Sequence, residues 1–140
     1  EFEFFMHGTG PMLELQKRLG AGIDSPKISP IHYLYNIGAL DMRPLLAHVI
    51  HVTDEDITRI FKSEASVVHC PRSNLRLQCG RMPLEKYLDP NIPVYLGTDS
   101  LGTSPSLDVL DEMEVAVALH HGKVTPDQIM AMVHRVPLIR

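Results

Sequence analysis

The chain has 140 residues, 44% of them hydrophobic, and its formal net charge is −4 at pH 7. This length and apolar content predict one folded domain with a buried core and exclude a disordered chain. The acidic balance, without a basic stripe, argues against a nucleic-acid partner, and the longest apolar runs are too short to span a membrane.

The N-terminal part of the chain is predicted to be helical. Residues 1–19 form a helix that breaks near residues 8–11 (GTGP), because glycine and proline interrupt helices. A loop follows over residues 21–30, and Pro30 then opens a short helix that runs through Tyr35. The opening residues are acidic and aromatic without a basic segment, so we expect no secretory signal peptide.

Three short apolar runs predict strands, and each run ends in polar side chains. They are residues 44–48 (PLLAH), 66–70 (SVVHC) and 93–99 (PVYLGTD). Continuous apolar runs bounded by proline or glycine are typical of strands buried on both faces, as in a parallel sheet.

Helical segments separate the three runs. Thr53 is predicted to cap a helix with an acidic first turn and an apolar stripe of Ile57, Ile60 and Phe61. A shorter helix is predicted over residues 83–88. The resulting β-α-β-α-β order requires parallel strands joined by right-handed crossovers.

Two more helices are predicted after the third strand. Residues 100–106 form a turn of the kind that shapes the rim of an active site, and a long helix follows over residues 107–121. His120 and His121 are expected to favour its C-terminus as cations. The last helix begins at Thr125 with Gln128 completing a capping box.

The strand ends carry the candidate chemistry. A lone Asp99 after a strand more often caps the next turn, but His48 and His69 occupy the equivalent positions of the two preceding strands. In parallel α/β folds the carboxyl ends of the strands hold ligands and catalytic groups. We expect the other histidines to lack a metal-binding role: His51 orients a loop, and no partner at ligand spacing accompanies His7, His32 and His134.

The two cysteines are expected to be reduced. Cys70 and Cys79 could pair in principle, but two cysteines in a chain of this length are more typical of a cytoplasmic protein than of a disulfide scaffold.

Three motifs together resemble the amidohydrolase superfamily. They are residues 46–51 (LAHVIH), 68–77 (VHCPRSNLRL) and 96–100 (LGTDS). Residues 7–11 (HGTGP) and 106–114 (SLDVLDEME) also resemble this family, in the branch that holds S-adenosylhomocysteine, guanine and aminofutalosine deaminases and the triazine chlorohydrolases. The resemblance covers nearly the whole chain up to about residue 128.

The resemblance implies an α/β fold that is the second half of a (β/α)8 TIM barrel, with about three parallel strands, the sixth to the eighth, and their helices. Residues 1–140 would form one partial barrel domain, from the helix after the fifth strand to the helix after the eighth, with no second domain. A closed barrel of this kind needs eight strands in roughly 250 residues. The family's metal histidines on strands one and five and its proton-shuttling glutamate have no match, and residues 132–140 depart from the family pattern. We therefore expect a truncated or proteolysed product.

The resemblance also implies roles for five residues. Asp99 would ligate one divalent metal, with zinc expected and iron as the alternative, and would accept a proton from the attacking water. His48 would stabilise the tetrahedral centre. His69, Arg72 and Asn74 would bind substrate. Each substrate-binding role has an alternative: His69 as a packing residue, Arg72 as a solvated loop residue rather than the partner of an anionic group, and Asn74 as an organiser of its loop.

The function implied is that of a cytoplasmic metal-dependent hydrolase, a deaminase or chlorohydrolase acting on a purine-like heterocycle or nucleoside by metal-hydroxide attack. The metal site would be incomplete in this chain, which alone is expected to be inactive. The alternative is a non-catalytic truncated half-barrel that only self-associates, because its edge strands and apolar faces would be exposed. In both cases we expect a homo-oligomer.

Overall fold

The computed structural model describes residues 1–134, and of His134 only the backbone. The prediction for the His134 side chain and the family comparison of residues 135–140 therefore lie outside the described residues. In chain order the elements are α1 (Phe2–His7), α2 (Pro11–Arg18), α3 (Pro30–Asn36), a 3-10 turn (Ala39–Met42), β1 (Leu45–Ala47), α4 (Asp54–Lys62), β2 (Ser66–His69), α5 (Pro71–Arg76), α6 (Leu84–Leu88), β3 (Val94–Leu96), α7 (Val109–Leu119) and α8 (Pro126–His134).

The predicted parallel sheet is confirmed, with strand order β1-β2-β3. Leu46 pairs with Val67, and Val67 pairs with Val94, so these three side chains lie on the same face. That face packs against the helices and forms the core. The opposite face carries Ala47, Val68 and Tyr95 in register, and none of these three is fully buried.

The helix boundaries follow local capping chemistry. Thr53 Oγ1 accepts a hydrogen bond from the Asp56 N–H, and the Asp56 carboxylate accepts one from the Thr53 N–H, which confirms the N-cap predicted at Thr53 and adds a reciprocal capping box. Helix α7 begins at Val109 and not at residue 107, because the Asp108 carboxylate caps the N–H of Leu110. The predicted capping box of Thr125 and Gln128 is also confirmed.

Two elements were not predicted. Helix α5 begins directly after β2, with Pro71 in its first turn, where the sequence analysis placed a loop. The 3-10 turn at Ala39–Met42 precedes β1 and buries Leu40 completely. Within residues 1–134, no helix is both long enough and apolar enough to cross a membrane.

Candidate active site

The ends of β1 and β3 bring His48 and Asp99 together. His48 Nε2 lies 3.8 Å from Asp99 Oδ2, and the two side chains are 35% and 30% exposed, so both can reach a ligand. Both residues adopt positive φ angles, 66° for His48 and 61° for Asp99, as does Val49 at 41°. Positive φ angles are uncommon in non-glycine residues, although histidine and aspartate adopt them more readily than most, and five described residues outside the site share them.

Gly97 lets the chain reach Asp99 alongside β2. A Cβ atom at this position would lie 2.5 Å from Val68 Cγ1 and 3.5 Å from Cys70 Sγ, so a larger residue would force the Val68 side chain to move. The glycine that ends the third apolar run therefore has a steric role directly beside the site.

The Asp99 carboxylate is held by two hydroxyl groups. Its Oδ2 accepts hydrogen bonds from Ser73 Oγ at 2.6 Å and from Thr103 Oγ1 at 2.8 Å. These hydrogen bonds, with a smaller contribution from His48, lower the pKa of Asp99. With its pKa lowered, the carboxylate is ionised at neutral pH. The described residues donate no hydrogen bond to Oδ1, so this oxygen is available as a ligand or proton acceptor.

The His48 ring is oriented by Asn74. Its Nδ1 lies 2.8 Å from Asn74 Oδ1, and Asn74 itself is buried in α5. Because an amide oxygen only accepts hydrogen bonds, His48 Nδ1 donates to Asn74 and Nε2 faces the site. In this structure Asn74 therefore acts through His48.

His69 lies on the helix-facing side of the sheet and has no accessible surface. Its Nε2 is 3.0 Å from Nε2 of His120, whose Nδ1 accepts a hydrogen bond from Arg81 at 2.9 Å. Because His120 Nδ1 accepts from Arg81, the His120 proton lies on Nε2 and is donated to His69 Nε2. The His69 proton is then on Nδ1, a buried atom without a partner among the described residues. This placement favours the packing role of His69 over contact with substrate.

The prediction that His120 is a cation at a helix C-terminus was wrong. His120 does follow α7, but it is fully buried, and burial and then the nearby Arg81 charge lower its pKa to about 4. Burial and the neighbouring His120 lower the pKa of His69 to about 3. Both rings are neutral at pH 7, and their contact joins β2 to α7.

Arg72 is held in a network between α5 and α7. Its Nε donates to Glu112 Oε1 at 2.7 Å, its Nη1 to Asp111 Oδ2 at 2.8 Å and its Nη2 to the carbonyl and hydroxyl oxygens of Ser106 at 3.0 Å. The side chain is only 11% exposed. It is therefore not a solvated loop residue, and a contact with substrate would require it to leave these partners.

Cys70 and Cys79 are free thiols, as predicted. Burial, and then the negative charges of Asp99 and Glu112, raise the pKa of Cys70 to about 12. The thiol is therefore protonated at neutral pH and is a poor nucleophile, although it lies beside the candidate site.

The donor set of this site fits part of a metal centre. Asp99 offers a free carboxylate oxygen and His48 its Nε2 nitrogen, which are ligand types that zinc accepts. Among residues 1–134, however, no group of three or more His, Cys, Asp or Glu side chains is placed to hold a metal ion. A metal bound at Asp99 would need further ligands.

Two residues of the site were not predicted. Ser73 lies 26 positions before Asp99 in the chain, so no local pattern links the two. Thr103 is four residues after Asp99, within the turn predicted to shape the rim of the site, and its position could have indicated a bond to the carboxylate.

Fold and site together define a parallel α/β protein with a carboxylate and an imidazole at its strand ends. The chain belongs to the amidohydrolase family, which it matches over residues 6–133. It is 34% identical over 132 residues to the aminodeoxyfutalosine deaminase of Deinococcus radiodurans, and this match covers 87% of the chain and 31% of the relative. It is 41% identical over 91 residues to the 5-methylthioadenosine/S-adenosylhomocysteine deaminase of Pyrococcus abyssi, with 65% and 21% covered.

Solved structures share the fold. The zinc complex of atrazine chlorohydrolase from Arthrobacter aurescens TC1 superposes with a TM-score of 0.73 at 18% identity, covering 95% of this chain and 28% of the other. An adenosine deaminase from Xanthomonas campestris with bound zinc gives a TM-score of 0.62 at 30% identity, covering 65% and 21%. The chain thus spans between a fifth and a third of the length of these proteins.

Proposed function

We propose that this chain is part of a metal-dependent hydrolase that removes an amino group, or a halide, from a purine-like heterocycle. The observation that carries the proposal is the exposed pair of His48 and Asp99 at the ends of parallel strands, with the Asp99 carboxylate kept ionised by Ser73 and Thr103. Relatives named as deaminases support the choice of reaction.

The two residues have complementary roles in this proposal. A divalent metal bound at Asp99, zinc or iron, would supply Lewis-acid activation of water. Asp99 accepts the proton that the water loses as its oxygen attacks the ring carbon. This proton then passes to the amino nitrogen as the carbon–nitrogen bond breaks, so that ammonia leaves and Asp99 is again a carboxylate. His48 Nε2 hydrogen-bonds the attacking water. This contact accelerates the reaction because it stabilises charge that develops only in the transition state.

The substrate class is a nucleoside or related heterocycle. Two relatives are named as deaminases of aminodeoxyfutalosine and of 5-methylthioadenosine/S-adenosylhomocysteine, and these compounds serve as probes for this protein. Of the residues predicted to bind substrate, Asn74 contributes by fixing the acceptor nitrogen of His48. Direct contacts of His69 and Arg72 with substrate are the less favoured alternative, since His69 is completely buried and the Arg72 guanidinium is engaged within the protein.

We also propose that β1, β2 and β3 correspond to the sixth, seventh and eighth strands of a (β/α)8 barrel. The parallel order, the likeness to larger amidohydrolases and the absence of a three-ligand metal group within residues 1–134 support this assignment.

The two free thiols favour a reducing compartment such as the cytoplasm.

The variant Asp99→Asn tests the proposal in the complete protein. It removes the proton acceptor while keeping the shape of the side chain, so ammonia release from the probe nucleosides should fall by at least about a hundredfold with the circular dichroism spectrum unchanged. Asp89→Asn, which makes the same change at an exposed position after α6, is the matched control. Turnover of Asp99→Asn within about tenfold of wild type would contradict the role of Asp99.

A second candidate, a non-catalytic unit that self-associates, is favoured by the edges of the sheet. Within the described residues β1 and β3 each pair with β2 alone, which leaves one edge of each strand open. Leu45 on β1 is 43% exposed. Open edges and exposed apolar side chains promote pairing between chains.

A further inference from the structure

We propose that Arg72 is a positioning residue that, with Glu112, holds the segment from Asp99 to Asp108 in place and thereby sets the orientation of the Asp99 carboxylate. The proposal deepens the proposed function and rests on it for the role of Asp99. It assigns to Arg72 a function that does not require contact with substrate.

Glu112, in the first turn of α7, is a buried carboxylate. This side chain has no accessible surface, and a carboxylate is buried in this way only when it is paired and hydrogen-bonded. Arg72 provides both, because its backbone N–H donates to Oε2 at 3.0 Å and its Nε donates to Oε1 at 2.7 Å. The pair thus joins the first turn of α5 to the first turn of α7.

Arg72 and Glu112 also hold the segment after Asp99. Glu112 Oε1 also accepts a hydrogen bond from Ser104, which is completely buried. Arg72 Nη2 donates to the carbonyl oxygen of Ser106 at 3.0 Å and to that of Asp108 at 3.3 Å. The segment between β3 and α7 is therefore fastened at several points to one ion pair.

The pair of Arg72 and Glu112 is connected to the Asp99 carboxylate through two hydroxyl groups. Ser73, the neighbour of Arg72 in α5, donates to Asp99 Oδ2, and Thr103, the neighbour of Ser104, donates to the same atom. The two hydroxyl groups that hold Asp99 therefore stand on the two pieces of backbone that Arg72 and Glu112 join. A shift between α5 and the segment would separate the hydroxyl groups and rotate the carboxylate.

Amide hydrogen exchange of the chain tests the positioning directly. The N–H groups of Thr103 and Ser104 both donate to the Ser100 carbonyl oxygen, at 3.0 and 2.8 Å, and report on the segment. In Arg72→Gln their exchange should accelerate by about tenfold or more, while the N–H of Val67 and that of Gly97 in the sheet keep their rates within about twofold. Arg76→Gln removes the same charge from an exposed position of α5 and should change neither set.

A milder variant covers the case in which Arg72→Gln fails to fold. Ser106→Ala removes the hydroxyl group that contacts Arg72 and Asp111 but keeps the pair of Arg72 and Glu112. It should accelerate exchange at Thr103 and Ser104 in the same direction by a smaller factor. Unchanged exchange at these amides in whichever of the two variants folds, or equal acceleration in the sheet, would overturn the proposal.

Kinetics of the complete protein separate positioning from substrate binding. With a probe nucleoside as substrate, Arg72→Gln should lower kcat by about tenfold with KM within about twofold, because the bound geometry is what changes. Arg72→Lys, which keeps the charge but not the fork of donors, should recover only part of the loss. A rise in KM at constant kcat would assign Arg72 to substrate binding and overturn the proposal. Accelerated exchange combined with full turnover of Asp99→Asn would contradict the proposed function alone.

Discussion

His48 and Asp99 are single side chains whose orientation depends on contacts with a neighbouring helix. Each stands at a strained backbone position, and each is oriented by a neighbour from α5, Asn74 for the imidazole and Ser73 for the carboxylate. A hydrogen bond that fixes a histidine tautomer decides which nitrogen faces a ligand. The candidate site therefore depends on α5 as much as on the strands that precede His48 and Asp99.

Replacing Asn74 tests this dependence. Asn74→Leu keeps the number and branching of the side-chain heavy atoms but removes the acceptor of the His48 Nδ1 proton, so the free energy of unfolding should fall by about 1 to 3 kcal/mol. Urea denaturation of the chain measures the change. Asn36→Leu, a change at an exposed position at the end of α3, is the control and should stay within about 0.5 kcal/mol. Equal stability of Asn74→Leu and wild type would mean that the hydrogen bond contributes nothing.

At the scale of elements, short helices are stabilised at their ends. Helix α4 has only nine residues, and a helix of this length is marginal without tertiary contacts and caps. Its buried Asp56 accepts hydrogen bonds from the Thr53 N–H and from Ser29, so the start of α4 is tied to the start of α3. Capping thus fixes both the boundary of the helix and its position.

The cap of α4 gives a prediction about stability. Thr53→Ala removes one half of the capping box and should lower the free energy of unfolding by about 1 kcal/mol. Thr58→Ala makes the same substitution in the middle of α4, where alanine is the better helix former, and should leave stability unchanged or raise it by a few tenths of a kcal/mol. Thermal and urea unfolding compare the two variants. A loss of equal size in both would contradict a specific role of the cap.

The contact between β2 and α7 predicts a dependence of stability on pH. Burial lowers the pKa of His69 to about 3 and that of His120 to about 4, so below about pH 6.5 the unfolded chain takes up protons that the folded chain does not. Stability should therefore fall as the pH drops from about 6.5 towards 4, by up to about 1.4 kcal/mol per pH unit for each ring.

Urea unfolding between about pH 7 and 5 measures this slope. The window avoids Glu85, whose pKa the Arg81 hydrogen bonds lower to about 2 and whose contribution is lost only below about pH 4.5. His120→Gln should reduce the slope by roughly half, and His121→Gln, at the exposed neighbouring position, should not. A slope that is independent of residue 120 would contradict this explanation.

At the scale of the whole molecule, one face of the sheet is covered and the other is not. Val67, Val94 and Leu96 pack on the helices, whereas the face of Ala47, Val68 and Tyr95 has less cover among the described residues. Such an arrangement is typical of part of a larger barrel, whose interior is filled by side chains from all strands. It leaves apolar surface for a further contact.

Self-association is the prediction at this scale. Sedimentation velocity of the chain should show dimers or larger species at micromolar concentration, because the open edges of β1 and β3 can pair between chains. Leu45→Lys places a charge on the β1 edge and should shift the distribution towards monomer. Leu19→Lys, the same change at the exposed position that follows α2, is the control. A stable monomer with low binding of hydrophobic dyes would contradict the prediction.

The elements that sequence analysis located correctly are those with a local physical cause. The three strands, the break between α1 and α2 and the caps at Thr53 and Thr125 each follow from adjacent residues. Helix α5 was missed because its residues PRSNLR carry a proline and polar side chains in place of an apolar stripe. Its position is fixed by Arg72, Ser73 and Asn74, whose partners lie far along the chain.

By itself the sequence determined the parallel strands and the two candidate site residues, His48 and Asp99, because apolar runs, a glycine and a terminal polar residue are adjacent in the chain. Only the tertiary structure decided what surrounds them. Ser73 meets Asp99 across 26 positions, Arg72 meets Glu112 across 40 and His69 meets His120 across 51. The physical reason is that burial and hydrogen bonding depend on distance in space, and parallel crossovers bring together residues that no local pattern connects.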